Sequence, residues 1–300
     1  MTVEKTATTP KVSIGIPTYN RADLLRRSIE SALGQDYPNI EVLISDNAST
    51  DNTPDICRSY VNTCGSRIKH VRQSVNLGAT ANFSKVLEMA SGEFFMWLGD
   101  DDWIDSSYVK SCMRELLSDS ALSLVSGSPR YYRSGVPAYD GRWFNLLQKQ
   151  WWLRVLLYYI KVSDNGMFYG LMRTAQIRQI NLSNTMGGDW LLIAGLSALG
   201  KLKTVPDTHA HRELGGATLS YRQIARSMGL SRMQAMFPMV SIAKAAWVDI
   251  VFKGAAYKSR SIWGKLVIGS FASGLILLKG LLGYGRAVAT FIMNKIMPGV

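Results

Sequence analysis

The sequence predicts an α/β protein: a mainly parallel sheet covered by helices on both faces, followed by a helical C-terminal extension. Three observations carry this reading. Short apolar runs alternate with segments of helical spacing from residue 11 to about 117. Four successive apolar runs end in polar clusters. Beyond about Met228 the alternation gives way to apolar stripes mixed with lysine and arginine.

Taken in order, "KVSIGIPTYN" alternates and then ends in Pro-Thr-Tyr-Asn, a strand running into a turn. "ADLLRRSIESALGQ" places Leu24, Leu25, Ile29, Ala32 and Leu33 on one helical face. "IEVLISDNAS" is a second strand, ending at Asp46. "TPDICRSYVNTCG" is helical, with Thr53 as cap and Pro54 at the first helical position. "IKHVRQS" gives a third, shorter strand, and "GATANFSKVLEMASG" a third helix. The apolar run Glu93 to Leu98 then delivers Asp100, Asp101 and Asp102.

Open sheets of this kind bind ligands beyond the C-terminal ends of their strands. Those ends carry Pro17-Thr18-Tyr19-Asn20, Asp46-Asn47-Ala48-Ser49, Asn76-Leu77-Gly78 and the aspartate triplet. Adjacent carboxylates repel, so such a triplet lies in water as an acidic turn or gathers around a cation. Its polar company on one rim favours the cation. Further along, "WWLRVLLYYIKVSDNGMFYG" reads as a core helix, with a sugar-stacking aromatic surface as the alternative. "DWLLIAGLSALG" is an apolar helix opened by Asp189, which is either a cap for free N–H groups or a functional carboxylate.

With 300 residues, 47% of them hydrophobic, the chain can bury a sizeable core. The net charge of +12 calls for an anionic partner: nucleic acid, an acidic membrane or a phosphorylated substrate. Three cysteines at unmatched spacing favour a reducing cytosol over disulfides or a zinc site. Neither G-x-G-x-x-G nor G-x-x-x-x-G-K-[ST] follows the first strand, which disfavours a dinucleotide oxidoreductase or a P-loop NTPase.

"VSIGIPTYNRADLLRRSIESALGQDYPNIEVLISDNASTDNTPDI", "NLGATANFSKVLEMASGEFFMWLGDDDW" and, more sparsely, "GGDWLLIAGLSALGKLKTVPDTHAHRELGGATLS" resemble family 2 glycosyltransferases of bacterial surface-polysaccharide type. The resemblance implies the GT-A fold and an inverting transfer from a nucleotide-sugar donor to a glycan hydroxyl, with Mg²⁺ or Mn²⁺ as cofactor. It places Pro17, Thr18, Tyr19, Asp46 and Asp100 at the nucleotide, with Asp46 on the nucleobase and a His or Arg of "HAHRELGG" at the diphosphate; Arg212, and more weakly Arg21, can fork onto phosphate oxygens, and Asn76 and Gly78 join the nucleotide from the same rim. It places Asp100, Asp101 and Asp102 at the metal, joined by His211. Gly99 stands where the family pattern has its first aspartate, which leaves open which of the three carboxylates bind the ion. Asp189 matches the catalytic base. His209 and His211, two apart on a strand, share a face whatever their role. A sugar nucleotidyltransferase would show a Gly-rich basic signature after the first strand, and "PTYNRADLL" has none. The other rival is a non-catalytic binding protein of the same fold.

The expected organisation is a loose polar tail at 1–10, a glycosyltransferase domain at 11–225 (donor half 11–118, acceptor half 119–225) and a basic, apolar extension at 226–300. "LVIGSFASGLILLKGLLGYG" within that extension reads as a basic amphipathic helix on an anionic bilayer, with a true span or a buried hairpin as alternatives. By family analogy the acceptor is linked to a polyprenyl diphosphate, as in O-antigen assembly. The enzyme is then expected at the cytoplasmic face of the plasma membrane, and nucleic acid is not the partner.

Overall fold

In the computed structural model, residues 9–214 and 221–296 are described, with 221, 222, 227 and 284–296 as backbone only. The polar tail through residue 8 and the "GGATLS" segment at 215–220 lie outside the described residues.

The alternation read from the sequence is realised as β1 (Val12–Thr18), α1 (Ala22–Leu33), β2 (Ile40–Asp46), α2 (Thr53–Cys64), β3 (Ile68–Arg72), α3 (Ala79–Met89) and β4 (Phe94–Trp97). β5 (Trp103–Ile104), α4 (Tyr108–Ser118), β6 (Leu122–Arg133) and β7 (Val136–Asp140) follow. The second half adds α5 (Trp151–Lys161), β8 (Leu171–Arg173), α6 (Thr174–Ile177), α7 (Gly188–Leu199) and β9 (Lys201–Leu214). The C-terminal part is α8 (Tyr221–Ser227), α9 (Arg232–Met236), α10 (Pro238–Val248) and α11 (Ile262–Ile296).

One sheet runs β3-β2-β1-β4-β8-β6-β9-β5, with β7 on the outer side of β6. β1 pairs in parallel with β2 and β4, and β2 with β3, as helical crossovers require. Beyond β4 the sheet is mixed: β8 is antiparallel to both β4 and β6, whereas β6 and β9 are parallel. The chain leaves β1 towards β2 and β3 and returns on its other side at β4. That reversal opens a crevice at the C-terminal ends of β1 and β4.

All seven residues of β1 and of β2 are buried, as expected for strands covered on both faces. At the opposite end of the sheet from the crevice, buried Glu41 accepts hydrogen bonds from Ser13 and Ser91 and pairs with Lys11 at 2.8 Å. Burial would raise its pKa, but the bonds from Lys11, Ser13 and Ser91 outweigh it and hold Glu41 at about 2. Trp97 anchors β4. It is fully buried, donates to the Phe83 carbonyl at 3.0 Å and stacks on Phe168 at 5.3 Å. The aromatic run of α5 is mostly core, since Val155, Tyr158 and Tyr159 are fully buried while Trp152 stays exposed.

α10 and α11 pack as a hairpin that also touches α5. Among the side chains described in α11 (262–283), only Ile268, Gly269, Ala272 and Ile276 are buried, so this part of the hairpin is largely open. Ile262–Gly283 is long and apolar enough to cross a membrane by length and composition, with a mean hydropathy of 1.9.

Candidate active site

The rim begins where β1 and β2 end side by side, with Thr18 paired to Asp46 in register. Asp46 is fully buried. Its Oδ1 accepts the Ser49 N–H at 2.9 Å, closing an Asx turn in which Ala48 takes a left-handed φ of 64°. Its Oδ2 is buried without a hydrogen bond, 3.4 Å from Arg72 Nε. That oxygen has the Arg72 ion pair but no hydrogen bond among the described residues.

The neighbouring loops are stitched together by amides. Asn47 donates to Asn76 Oδ1 at 2.8 Å and to the Gly78 carbonyl, and accepts from the Leu77 N–H. Asn82 donates to the carbonyls of Thr18 and Ser45. Asn76 and Gly78, expected at the nucleotide, thus direct these polar groups to holding the Asp46 loop in place.

The aspartate triplet sits in the turn between β4 and β5, where Asp101 and Asp102 are buried. Asp102 Oδ1 accepts the Glu213 N–H at 2.8 Å, and the Tyr169 hydroxyl bonds the same carboxyl group. Asp100 lies against the Thr18 hydroxyl, the Tyr19 N–H and Arg21. Burial and the adjacent Asp101 charge push Asp100 up to about 7 and Asp102 up to about 6. Burial also raises Asp101, against the pull of Arg21 and Arg212. The glycine at position 99 has a steric cause. A Cβ there would fall 2.7 Å from both Asp102 Oδ2 and the Tyr169 hydroxyl, so a fourth aspartate has no room.

The back of this turn is braced. Ser28 donates to the Gly99 carbonyl and Arg27 to the Asp101 carbonyl, each at 2.8 Å. The Arg27 guanidinium lies 3.6 Å over Trp103, whose ring also stacks with His211 at 5.0 Å and 5°. His211 was expected at the metal, and this geometry does not suit it. Its Nε2 lies 2.7 Å from Asp105 Oδ1 and its Nδ1 lies 3.0 Å from the Tyr132 hydroxyl, so both ring nitrogens are taken. His209 does share the face of His211, and its Nδ1 meets the second oxygen of Asp105 at 2.8 Å.

Asp189 is the second residue of α7, behind Gly187 at a φ of 72°. Asn165, itself left-handed, donates to Asp189 Oδ2 at 2.8 Å and accepts from the Tyr158 hydroxyl at 3.0 Å. Burial raises the Asp189 pKa against the Asn165 bond, the Trp190 N–H and the Arg212 charge. Arg212 is fixed by the Tyr131 hydroxyl and the Asp164 carbonyl and lies 4.9 Å over the Tyr169 ring. Its charge acts on Asp101, Asp102 and Asp189 alike. The acidic turn and Asp189 therefore share one guanidinium. Cavities of about 750 Å³ and about 700 Å³ lie away from this rim, against the C-terminal helices.

Sequence reasoning missed Asn165, Tyr169, Arg27, Trp103, Asp105 and Glu213. Each acts on a partner far along the chain, and no local motif marks it.

A sequence profile described as Glycosyl transferase family 2 matches residues 13–179. Among curated proteins, the chain is 28% identical over 180 residues to the glycosyltransferase GlyA of Streptococcus pneumoniae serotype 4. It is 35% identical over 107 residues to the GalNAc(5)-diNAcBac-PP-undecaprenol beta-1,3-glucosyltransferase of Campylobacter jejuni. The matches cover 59% and 35% of this chain but only 24% and 34% of those proteins. Among solved structures, the mannosyltransferase PcManGT of Pyrobaculum calidifontis, in complex with GDP-Man and Mn²⁺, superposes with a TM-score of 0.58 at 18% identity. That likeness is one of fold and covers 95% of this chain and 81% of that one.

Proposed function

As the chain belongs to glycosyl transferase family 2, we propose that it moves a sugar from a nucleoside diphosphate to a hydroxyl of a glycan acceptor, inverting the anomeric carbon. One observation carries the reading: buried carboxylates of the β4–β5 turn and Asp189 share the charge of Arg212, on a rim where Asp46 keeps an oxygen without a hydrogen bond.

In this reading Asp46 Oδ2 accepts an N–H of the nucleobase, and Thr18 and Tyr19 line the same pocket. Asp189 takes the proton of the acceptor hydroxyl as its oxygen bonds to the anomeric carbon. The bond from that carbon to the diphosphate breaks, and the diphosphate leaves with the electron pair. Because burial raises Asp189 above the ordinary carboxylate range, its proton affinity is closer to what a base needs near neutral pH. Arg212 places a permanent positive charge beside the departing phosphates.

The acidic turn suits a hard divalent cation. It offers only oxygen ligands, and burial with the neighbouring Asp101 charge raises Asp100 to about 7 and Asp102 to about 6, so added positive charge favours their ionised forms. Among the described residues no three acidic, His or Cys side chains form a ready-made cage, so the remaining ligands would come from the diphosphate. Asp100 and Asp102 would hold Mg²⁺ or Mn²⁺, with Asp101 beside them. When bound, the ion supplies positive charge for the leaving group.

The test is a melting-temperature screen with Mn²⁺ and single nucleoside diphosphates. One diphosphate stabilises the protein by about 2.7 kcal/mol at a hundredfold excess over its Kd. Protons compete with the cation for Asp100 and Asp102, so the shift grows between pH 5.5 and pH 8. Absence of any selective shift would remove the donor site.

The reading extends to an acceptor on a polyprenyl diphosphate lipid and to an enzyme docked on the cytoplasmic face of the plasma membrane. Its support is the outer face of α11, where Trp263 is 77% exposed and Leu281 71%, with Val267, Phe271, Leu278 and Leu282 also open. Each such side chain withdrawn from water contributes roughly 1.5–3 kcal/mol. Lys253, Lys258, Arg260 and Lys265 provide charge for anionic headgroups. Phosphatidylglycerol vesicles are expected to carry the protein upward in a flotation gradient, and Trp263→Glu with Phe271→Glu to leave it at the bottom. Native protein that stays at the bottom would overturn this attachment.

A further inference from the structure

α9, the start of α10 and α11 enclose an elongated apolar groove of about 590 Å³, within the range of ligand pockets. Met236, Phe237 and Val240 form one wall, and Leu277 and Leu281 the other. The floor is the helix crossing itself: a Cβ on Gly280 would fall 2.8 Å from Met239. The groove is continuous with the open face of α11, since Leu277 and Leu281 belong to both.

One side chain of the lining is not apolar. Lys279 also lines the groove, and it makes no ion pair among the described residues. Its ammonium donates to the Val162 carbonyl and lies 5.4 Å over the Trp190 ring. Trp190 directly follows Asp189. The loop that receives Lys279 at Val162 also carries Asn165, which holds Asp189. A cation without an ion pair among the described residues therefore lines an apolar trough and lies over the ring of the residue that follows the carboxylate assigned as base. A half-buried ammonium without a counter-ion is electrostatically incomplete, and burial lowers its pKa. The missing partner is an anion with an apolar chain behind it.

We propose that this groove takes the hydrocarbon chain of a lipid-linked acceptor and that Lys279 meets its first phosphate, setting the glycan over Asp189. This rests on the glycosyltransferase reading and assigns the acceptor's place within it. The glucosyltransferase relative from Campylobacter jejuni carries undecaprenol in its name, consistent with such a class of acceptor.

The probes are a fluorescent heptaprenyl phosphate, the matching heptaprenol and inorganic pyrophosphate, titrated in detergent against the full chain. The native protein is expected to bind heptaprenyl phosphate at least tenfold more tightly than either of the other two. Val240→Trp, which fills the groove from an exposed position, weakens both prenyl ligands about tenfold. Lys279→Met removes the preference for phosphate and leaves heptaprenol binding as it was, and Lys279→Arg restores the preference. Unchanged affinities in Val240→Trp and Lys279→Met would overturn the assignment. So would phosphatidylglycerol displacing the probe as well as heptaprenyl phosphate does, or a dimer that Val240→Trp disperses. The Mn²⁺-dependent shift with a nucleoside diphosphate is recorded on every variant. If it persists while prenyl binding fails, the groove assignment falls alone; if it is missing from the native protein, the donor reading falls.

Discussion

Asp189→Asn reduces sugar transfer by about 10³-fold while leaving donor binding intact. The amide keeps an oxygen to accept the Asn165 bond now made at 2.8 Å, so the side chain can hold its position. It cannot take a proton, and a positioned general base contributes about 10²–10⁴ in rate. Stability moves the other way. Asp189 has its pKa raised in the fold, so its ionised form is disfavoured there. The resulting cost is absent below the ordinary carboxylate range and grows as pH rises towards the folded-state pKa. The neutral amide avoids it, so at pH 8 the variant melts at or above the native temperature. The measurements are the turnover rate with labelled donor and the melting shift with nucleoside diphosphate. Equal transfer by both proteins would take Asp189 out of the chemistry.

The double change Asp100→Asn with Asp102→Asn gives the second large effect, a loss of about 10³-fold in transfer together with loss of the Mn²⁺-dependent stabilisation. The sign of the stability change is again informative. Burial and the Asp101 charge push Asp100 to about 7 and Asp102 to about 6, far above the unfolded value of 3.8. Between about pH 4 and pH 7 the native protein therefore loses stability as these groups ionise. The variant lacks that loss, so without metal its melting temperature is higher than the native one at pH 8 and similar at pH 4. Melting curves across this window, with and without Mn²⁺, check both parts. A variant that still responds to Mn²⁺ would show that the cation binds elsewhere.

The first half of the fold was legible because its signals are local. The apolar runs of β1 and β2, the helical spacing of α1 and Pro54 in the first turn of α2 each lie within a dozen residues, although the cap position falls on Asn52 and not on the expected Thr53. The strand-end rule puts Thr18, Asp46 and the aspartate triplet on one rim, and Thr18 does lie beside both Asp46 and Asp100. Beyond β4 the signals become long-range. β5 is two residues long and exists only through its antiparallel pairing with His211 and Ala210 of β9. The fate of His211 follows from that pairing, since Asp105 is 106 residues away in sequence. Asn165 could not be singled out either, because only its left-handed backbone in the loop after α5 aims its amide at Asp189. The absent aspartate at position 99 looked like a defect in a motif, yet Tyr169, seventy residues later, already occupies that space.

The stack of Arg27, Trp103 and His211 behind the acidic turn bears on turnover. A peptide segment clamped between a guanidinium, an indole and an imidazole has little freedom to rearrange when its occupant departs. In the proposed cycle the carboxylates would then keep their arrangement between turnovers, with Arg21 and Arg212 offsetting only part of their mutual repulsion. On the proposed function, attraction for the next donor complex is in this way held in charges that already stand in place.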